Sequence, residues 1–199
     1  MKKETLELIE KIKVDLKEIL SEHRYNHSIG VMNKAIELAK IYNVDVDKAA
    51  LAGLTHDIAK DIPGADALEF AKKNNIELDE VEKINTGLIH ARIGAYIVKE
   101  KYGFDEQIQK AIKYHTVTFK DMDLFAKIIY VADKTEEATR PSTEYIENIR
   151  KVSLEDLNQA IILIANHFIQ KNINEDQLIH PAMIETRNFL KMEKLKNKL

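Results

Sequence analysis

The chain has 199 residues, of which 45% are hydrophobic and 32% charged, and its formal net charge is -3. This length suffices for one domain with a sizeable core, and the near-neutral charge gives no argument for nucleic acid or a membrane surface as a partner. Cysteine is absent, which excludes disulfide bonds and thiolate zinc sites. The N-terminal stretch places acidic residues among its apolar positions, unlike a secretory signal or a membrane span. We therefore expect a soluble, cytoplasmic protein.

Apolar residues recur at helical spacing through nearly the whole chain. The spacing predicts a first helix with apolar positions from Leu6 to Leu20, and the segment "DIPGADA" predicts a loop followed by a helix restart. Asp45 and Asp105 are expected to cap helix starts, and Gly103 to end a helix. The other predicted helices span about 27–42, 44–54, 90–102, 105–114, 121–138, 143–150, 153–171 and 177–197. Alternating strand patterns are essentially absent, so the sequence predicts an all-α fold with one domain over 1–199.

Histidines and aspartates recur beside apolar residues and near the ends of these predicted helices. We expect His27 and His90 each to open a helix, and His115 to end one. Helix ends are places where a bundle can bring several side chains to one interior point. The full set, in chain order, is His27, His56, Asp57, His90, His115 and Asp133.

Four imidazoles and two carboxylates form a ligand set that suits divalent iron, manganese, cobalt, nickel or zinc. One aspartate supplies two oxygens and can bridge two ions about 3.5–4 Å apart. Each residue alone has a plainer explanation, since a single buried histidine is usually hydrogen-bonded in the core and Asp133 could cap a helix. The ordered set on separate helical segments favours metal binding. His167 is expected to be a core histidine, and His180 a loop residue.

The motifs "HDIAK", starting at His56, and the Ala132-Asp133 pair before "KTEEATR" carry a family resemblance. The chain resembles the HD-domain superfamily of metal-dependent phosphohydrolases, and more closely the YqeK family of symmetrical diadenosine tetraphosphate hydrolases. The resemblance covers about 24–150, which is then the motif-bearing core, with C-terminal helices over 153–197 packed on it. It implies an HD-type helical bundle with a metal site between helices, usually holding two iron ions.

The same resemblance implies how the ligands are divided between the two ions. The second ion is held by His90 and His115, and Asp57 bridges both ions. The ligands of the first ion are the residues that match His27, His56, Asp57 and Asp133. Two departures from the family pattern, at Val117-Thr118 and at Glu136-Glu137, lie where we expect nucleotide or phosphate contacts.

Further candidates for catalysis and substrate binding lie close to these motifs. Lys60 stands four residues after His56, so a helix would place both on one face, where the ammonium meets a phosphate or the leaving group. Asp61 either orients a ligand or accepts a proton, or caps the next turn. Thr116, Arg140 and Arg24 are candidates for phosphate contacts, with surface ion pairs or a helix end as the alternatives. Aromatic residues such as Tyr25, Phe119 and Phe125 either stack on adenine or pack in the core.

The resemblance implies a metal-dependent enzyme that cleaves diadenosine tetraphosphate to two ADP through a metal-activated hydroxide. Asp57, Lys60 and Asp61 are the residues expected to take part in catalysis. The alternatives are an HD-type nucleotidase acting on another nucleotide and, from a different class, a non-catalytic metal-binding regulatory module. The expected partner is a dinucleoside polyphosphate, with neither nucleic acid nor membrane. The first and last helices either cover the core or form the contact of a homodimer.

Overall fold

The computed structural model describes residues 1–196, which contain eleven α-helices, one short 3-10 helix (Thr86–Leu88) and no β-strand. The all-α prediction is confirmed. The bounds of the α-helices in chain order are α1 Lys3–Ile19, α2 Glu22–Ile41, α3 Val46–Thr55, α4 Gly64–Lys73, α5 Glu80–Ile84, α6 Ile89–Tyr102, α7 Glu106–Lys113, α8 Leu124–Thr135, α9 Glu144–Ser153, α10 Leu157–Asn174 and α11 Pro181–Lys196.

The predicted caps lie where local chemistry requires them. The Asp45 carboxylate accepts hydrogen bonds from the backbone N–H groups of Asp47 and Lys48 at the start of α3. Asp105 does the same for Ile108 at the start of α7. Such side chains satisfy backbone donors that the first helical turn leaves free. These helix starts were therefore readable from the sequence.

Other predicted bounds differ from the structure. The prediction that His27 opens a helix is wrong: α2 begins at Glu22 and places His27 in its second turn, because no glycine or proline lies between Ser21 and His27. Helix α8 is shorter than the predicted 121–138, since Asp123 caps its start and the chain turns away at Glu136. The prediction missed α5. Of the last predicted helix, 177–197, residue 197 lies outside the described residues, and α11 begins only at Pro181.

One hydrophobic core contains buried residues from α1, α2, α3 and every helix from α6 to α11. A smaller apolar cluster joins α4 to α6 through Ala67, Ala71, Ile89 and Ile93. The single-domain organisation stays a prediction, which this shared core supports. Among the described residues, no helix has both the length and the apolar character that crossing a membrane requires.

Gly53 determines how closely α2 and α3 approach each other. A Cβ atom at this position would lie 3.0 Å from the Cα atom of Met32 and 3.0 Å from the carbonyl oxygen of Val31. Only glycine therefore fits without displacing the backbone of α2. This close contact brings the second turn of α2 beside the C-terminal end of α3, where His56 lies.

Gly103 ends α6 in the left-handed region, with a φ of 65° and open space around the position of a Cβ atom. Gly103→Ala should lower the free energy of unfolding by about 1 kcal/mol, because alanine is strained in this backbone conformation. Gly103→Asn should lower it less, since asparagine tolerates the left-handed region. Urea denaturation measures both values, and an alanine variant as stable as the parent would contradict this explanation.

Candidate metal centre

The structure brings all six predicted donor residues together in the interior, between α2, α3, α6, α7 and α8. Each residue is at most 4% exposed. Their donor atoms form three overlapping groups in which all atoms lie within 4.8 Å of one another. The groups are His27, His56 and Asp57; His56, His115 and Asp133; and Asp57, His90 and His115.

Asp57 lies between two pairs of histidines. Its Oδ1 atom is 3.0 Å from His90 Nε2 and 3.4 Å from His115 Nε2. Its Oδ2 atom is 3.7 Å from His56 Nε2 and 3.9 Å from His27 Nε2. The two oxygens of one carboxylate thus face different histidine pairs, an arrangement that allows the residue to bridge two ions.

Backbone carbonyl groups fix the orientation of three of these rings. The Nδ1 atoms of His56, His90 and His115 lie 2.8, 2.7 and 2.7 Å from carbonyl oxygens, each from the residue three positions earlier in the chain. A carbonyl oxygen only accepts, so each Nδ1 carries the proton and donates. The Nε2 lone pairs are therefore directed toward the centre, which is the arrangement of metal-binding histidines.

The Nε2 atoms of neighbouring histidines also lie close to one another. His90 Nε2 is 3.2 Å from His115 Nε2, and His56 Nε2 is 3.3 Å from His27 Nε2. Burial lowers the pKa of His56 to about 3 and that of His90 to about 4, so both rings are neutral at pH 7. Because His90 and His115 both donate through Nδ1, their facing Nε2 lone pairs cannot hydrogen-bond to each other, whereas both can bind a cation. The donor set fits divalent metal ions.

Glu136 is a buried member of this site that the sequence analysis did not identify. Its Oε1 atom is 3.1 Å from His27 Nδ1, and its carboxylate accepts from the backbone N–H groups of Ala138 and Thr139. Burial raises the pKa of this carboxyl, but the hydrogen bonds from His27 and Thr139 outweigh burial and lower the pKa to about 2. Glu136 thus orients His27 in place of a backbone carbonyl. Its only signal in the sequence is an acidic residue three positions after Asp133.

One residue of each departure from the family pattern makes structural contacts, and their role toward a nucleotide stays a prediction. Glu136 lies behind His27, as described above. Thr118 is buried, has a φ of 68°, and donates its hydroxyl hydrogen to Thr186 Oγ1 at 2.9 Å. It therefore ties the turn after His115 to α11, and it does so in a backbone conformation that favours glycine.

Arg24 and Lys60 also lie next to the donor cluster. Arg24 Nη1 is 3.4 Å from Asp57 Oδ2, and Lys60 Nζ is 3.3 Å from His90 Nδ1. The expectation that Lys60 shares a helical face with His56 is wrong, because the backbone leaves the α-helix after Thr55 and continues in tight turns. In one of them the Lys60 N–H donates to the Asp57 carbonyl oxygen at 2.9 Å. The lysine nevertheless points to the site.

Arg140 and Lys134 lie next to Asp133. Arg140 Nη2 is 3.1 Å from Asp133 Oδ1, and the Lys134 ammonium contacts Asp133 Oδ2. Lys134 was not among the predicted residues. The loop that carries Arg140 is held by Arg150, which donates to the carbonyl oxygens of Glu136 and Arg140 at 2.8 and 3.3 Å. The sequence analysis did not identify this supporting role of Arg150 either.

Three other predicted residues have positions that give less support to a role in catalysis or substrate binding. Asp61 is exposed, and its Oδ2 atom accepts from the backbone N–H of Ser21 at 2.7 Å, so it holds the start of α2. Thr116 is half-buried next to His115, without a described side-chain hydrogen bond. Phe125 is buried in the main core, away from any stacking role.

A second acidic and histidine cluster joins the loop before α11 to the start of α5. His180 Nε2 is 2.7 Å from Asp79 Oδ2, which confirms the loop position of His180 and adds a contact for it. Glu82 accepts from Arg92 Nε at 2.5 Å and from the backbone N–H of Asp79. Because Arg92 and His180 already contact these carboxylates, we assign this cluster a structural role.

The fold and the site define a helical protein whose buried histidine and aspartate cluster suits divalent metal ions. The chain belongs to the HD domain family, which it matches over residues 24–138. The predicted resemblance to this superfamily is confirmed.

Named relatives share most of the chain. It is 38% identical to a Halalkalibacterium halodurans protein and 36% identical to a Bacillus subtilis protein, both named symmetrical bis(5'-nucleosyl)-tetraphosphatase. These alignments cover 87% and 88% of this chain, and 92% and 93% of the relatives. A crystal structure of a Clostridium acetobutylicum protein, described as a predicted HD superfamily hydrolase involved in NAD metabolism, superposes with a TM-score of 0.88. Its identity is 37%, with coverage of 92% of this chain and 97% of that one.

Gly30 leaves the space that Glu136 occupies, because a Cβ atom there would lie 2.2 Å from Glu136 Oε2. We expect Gly30→Ala to displace the carboxylate that orients His27 and to weaken metal binding by about ten- to a hundredfold. Metal titration of the chelator-treated protein measures this change. The matched control is Gly94→Ala, whose Cβ atom meets only ordinary contacts at 3.4 Å and beyond. Equal metal affinity in both variants would show that Glu136 has no part in the site.

Proposed function

We propose that this protein is a metal-dependent phosphohydrolase that cleaves diadenosine tetraphosphate symmetrically into two ADP. The observation that carries the proposal is the bridging position of Asp57 between two histidine pairs. It occurs in a chain that is similar along most of its length to proteins named symmetrical tetraphosphatases. The substrate is accordingly a dinucleoside polyphosphate.

We further propose how the donors are shared between two ions. One ion is held by His27, His56, Asp57 and Asp133, and the other by His90, His115 and the second oxygen of Asp57. Two divalent ions, when bound, lower the pKa of a water molecule and neutralise charge that develops on phosphoryl oxygens. Iron is our first choice for both positions, and manganese, cobalt, nickel and zinc suit the same donors. A cytoplasmic location and a homodimer stay predictions.

Cationic side chains adjoin both carboxylates of the centre. Arg24 contacts Asp57 Oδ2, the oxygen that faces His27 and His56, and Lys134 and Arg140 contact Asp133. A polyphosphate chain at the centre would therefore meet positive charge from these side chains. Charge-assisted hydrogen bonds of this kind are among the stronger ones in proteins.

The proposed reaction balances with one water molecule. Water oxygen forms a bond to one of the two inner phosphorus atoms, and the bond from that phosphorus to the oxygen that joins the two inner phosphates breaks. Each half of the substrate then carries two phosphates, so both products are ADP. The Lys60 ammonium, next to His90, is placed to compensate negative charge on the departing oxygen.

Product analysis of diadenosine tetraphosphate incubated with the metal-loaded protein tests the proposal. We expect ADP as the only product, and a rate that falls about a hundredfold or more in His56→Ala and in Asp57→Ala, because each change removes a ligand. His23→Ala is the matched control, since His23 is exposed on the same helix that carries His27.

Three other results of this experiment would each reject part of the proposal. If the products are AMP and ATP, the proposal of symmetrical cleavage is wrong, whereas the proposal of a catalytic metal centre is kept. No turnover despite two bound ions would favour an HD-type nucleotidase acting on other substrates. If no nucleotide is cleaved at all, the protein is a regulatory metal-binding module.

The Lys60 charge provides a separate prediction. Lys60→Met should lower kcat/KM for diadenosine tetraphosphate about tenfold or more, because a charged hydrogen bond to the substrate is lost, and should leave the metal content unchanged. Lys72→Met is the control, since Lys72 is exposed on α4. Equal kcat/KM in both variants would remove Lys60 from the mechanism, and a loss of metal in Lys60→Met would make its role structural.

A further inference from the structure

A cleft of about 330 Å³ lies beside the Asp133 half of the centre, between the loop after α8 and the facing sides of α9 and α10. This volume is within the range of small-molecule pockets, about 300–1,000 Å³. Phosphate chemistry at the metal centre does not require such a cleft. The cationic and aromatic residues that line it are Lys134, Arg140, Tyr145, His167, Phe168 and Lys171.

One wall of the cleft is formed by stacked rings. The rings of Tyr145 and His167 have centroids 4.2 Å apart and planes inclined by 22°, and Phe168 meets His167 edge to face at 5.5 Å. His167 is exposed, so the expectation that it is a core histidine is wrong. An exposed imidazole held flat against a tyrosine presents a surface suited to another flat ring. Any nucleobase can stack on such a surface, because every base has a flat aromatic face.

Two cations connect this wall to the metal centre. The Lys134 ammonium contacts Asp133 Oδ2 and lies 5.7 Å from the centroid of the Phe168 ring. Arg140, which also lines the cleft, is 3.1 Å from Asp133 Oδ1. None of the residues that line the cleft is acidic. The site therefore suits a ligand with a flat ring at one end and an anionic chain that continues toward Asp133.

We propose that this cleft binds one nucleoside of the substrate, with the purine base against His167 and Phe168 and its phosphates beside Lys134 and Arg140. The inference rests on the proposed function, since it assigns the nucleoside of the same substrate. Stacking supplies the recognition of the base, and no acidic side chain in the cleft reads its amino groups. ADP and GDP should therefore bind with affinities within a few-fold of each other.

Calorimetric titration of the metal-loaded protein with ADP and with inorganic pyrophosphate tests the inference. His167→Ala should raise the Kd for ADP about tenfold, a typical value for the loss of one stacking partner, and leave the Kd for pyrophosphate unchanged. His167→Phe, which keeps a flat ring, should restore ADP binding. Gln170→Ala is the control on the same exposed part of α10, where the Gln170 amide bonds only to Asn174.

Several outcomes would overturn the inference. These are an unchanged Kd for ADP in His167→Ala, an equal loss for ADP and pyrophosphate, or a parent protein that binds ADP no better than pyrophosphate. Because binding is measured without turnover, the two proposals fail separately. If the protein binds ADP through His167 but does not cleave diadenosine tetraphosphate, the proposed nucleoside site is supported and the proposed hydrolase activity is wrong.

Discussion

Two carboxylates and four imidazoles held in an apolar interior are the constraint on which the rest of the structure depends. Burying a charged carboxylate is costly unless it is paired, and Asp57 and Asp133 are both almost fully buried. Burial raises the pKa of each carboxyl, but contacts with the surrounding histidines and, at Asp133, with the Lys134 ammonium outweigh it and hold both pKa values well below their usual range. Both groups are therefore anionic, and bound cations compensate them most completely. The donors suit divalent metal ions, and we propose that the surrounding cations contact phosphates.

A layer of contacts around the donors makes this arrangement specific. Backbone carbonyl groups orient three of the histidines, and Glu136 orients His27. Two glycines make room for this layer: Gly53 allows α2 and α3 to approach, and Gly30 admits the Glu136 carboxylate. Arg150 holds the loop that carries Glu136 and Arg140. The same loop continues into the cleft proposed to bind the nucleoside, so one segment serves both the metal centre and substrate recognition.

Local signals in the sequence predicted the helical fold, several caps and the six donors that converge. Apolar spacing and capping residues are properties of neighbouring positions, so they can be read directly. Glu136 was missed because its partner His27 lies 109 positions away, and no local pattern records that contact. His167 was misassigned because its apolar neighbours along the chain lie on other faces of α10. The register that ties Thr118 to Thr186 likewise depends on tertiary packing.

Anomalous X-ray scattering from crystals of the manganese-loaded protein tests the central claim most directly. The account predicts two manganese peaks about 3.5–4 Å apart, as in two-metal hydrolases, with the Asp57 carboxylate between them and one histidine pair at each. A single peak, or two peaks that do not share Asp57, would contradict the bridging arrangement on which the proposed chemistry depends.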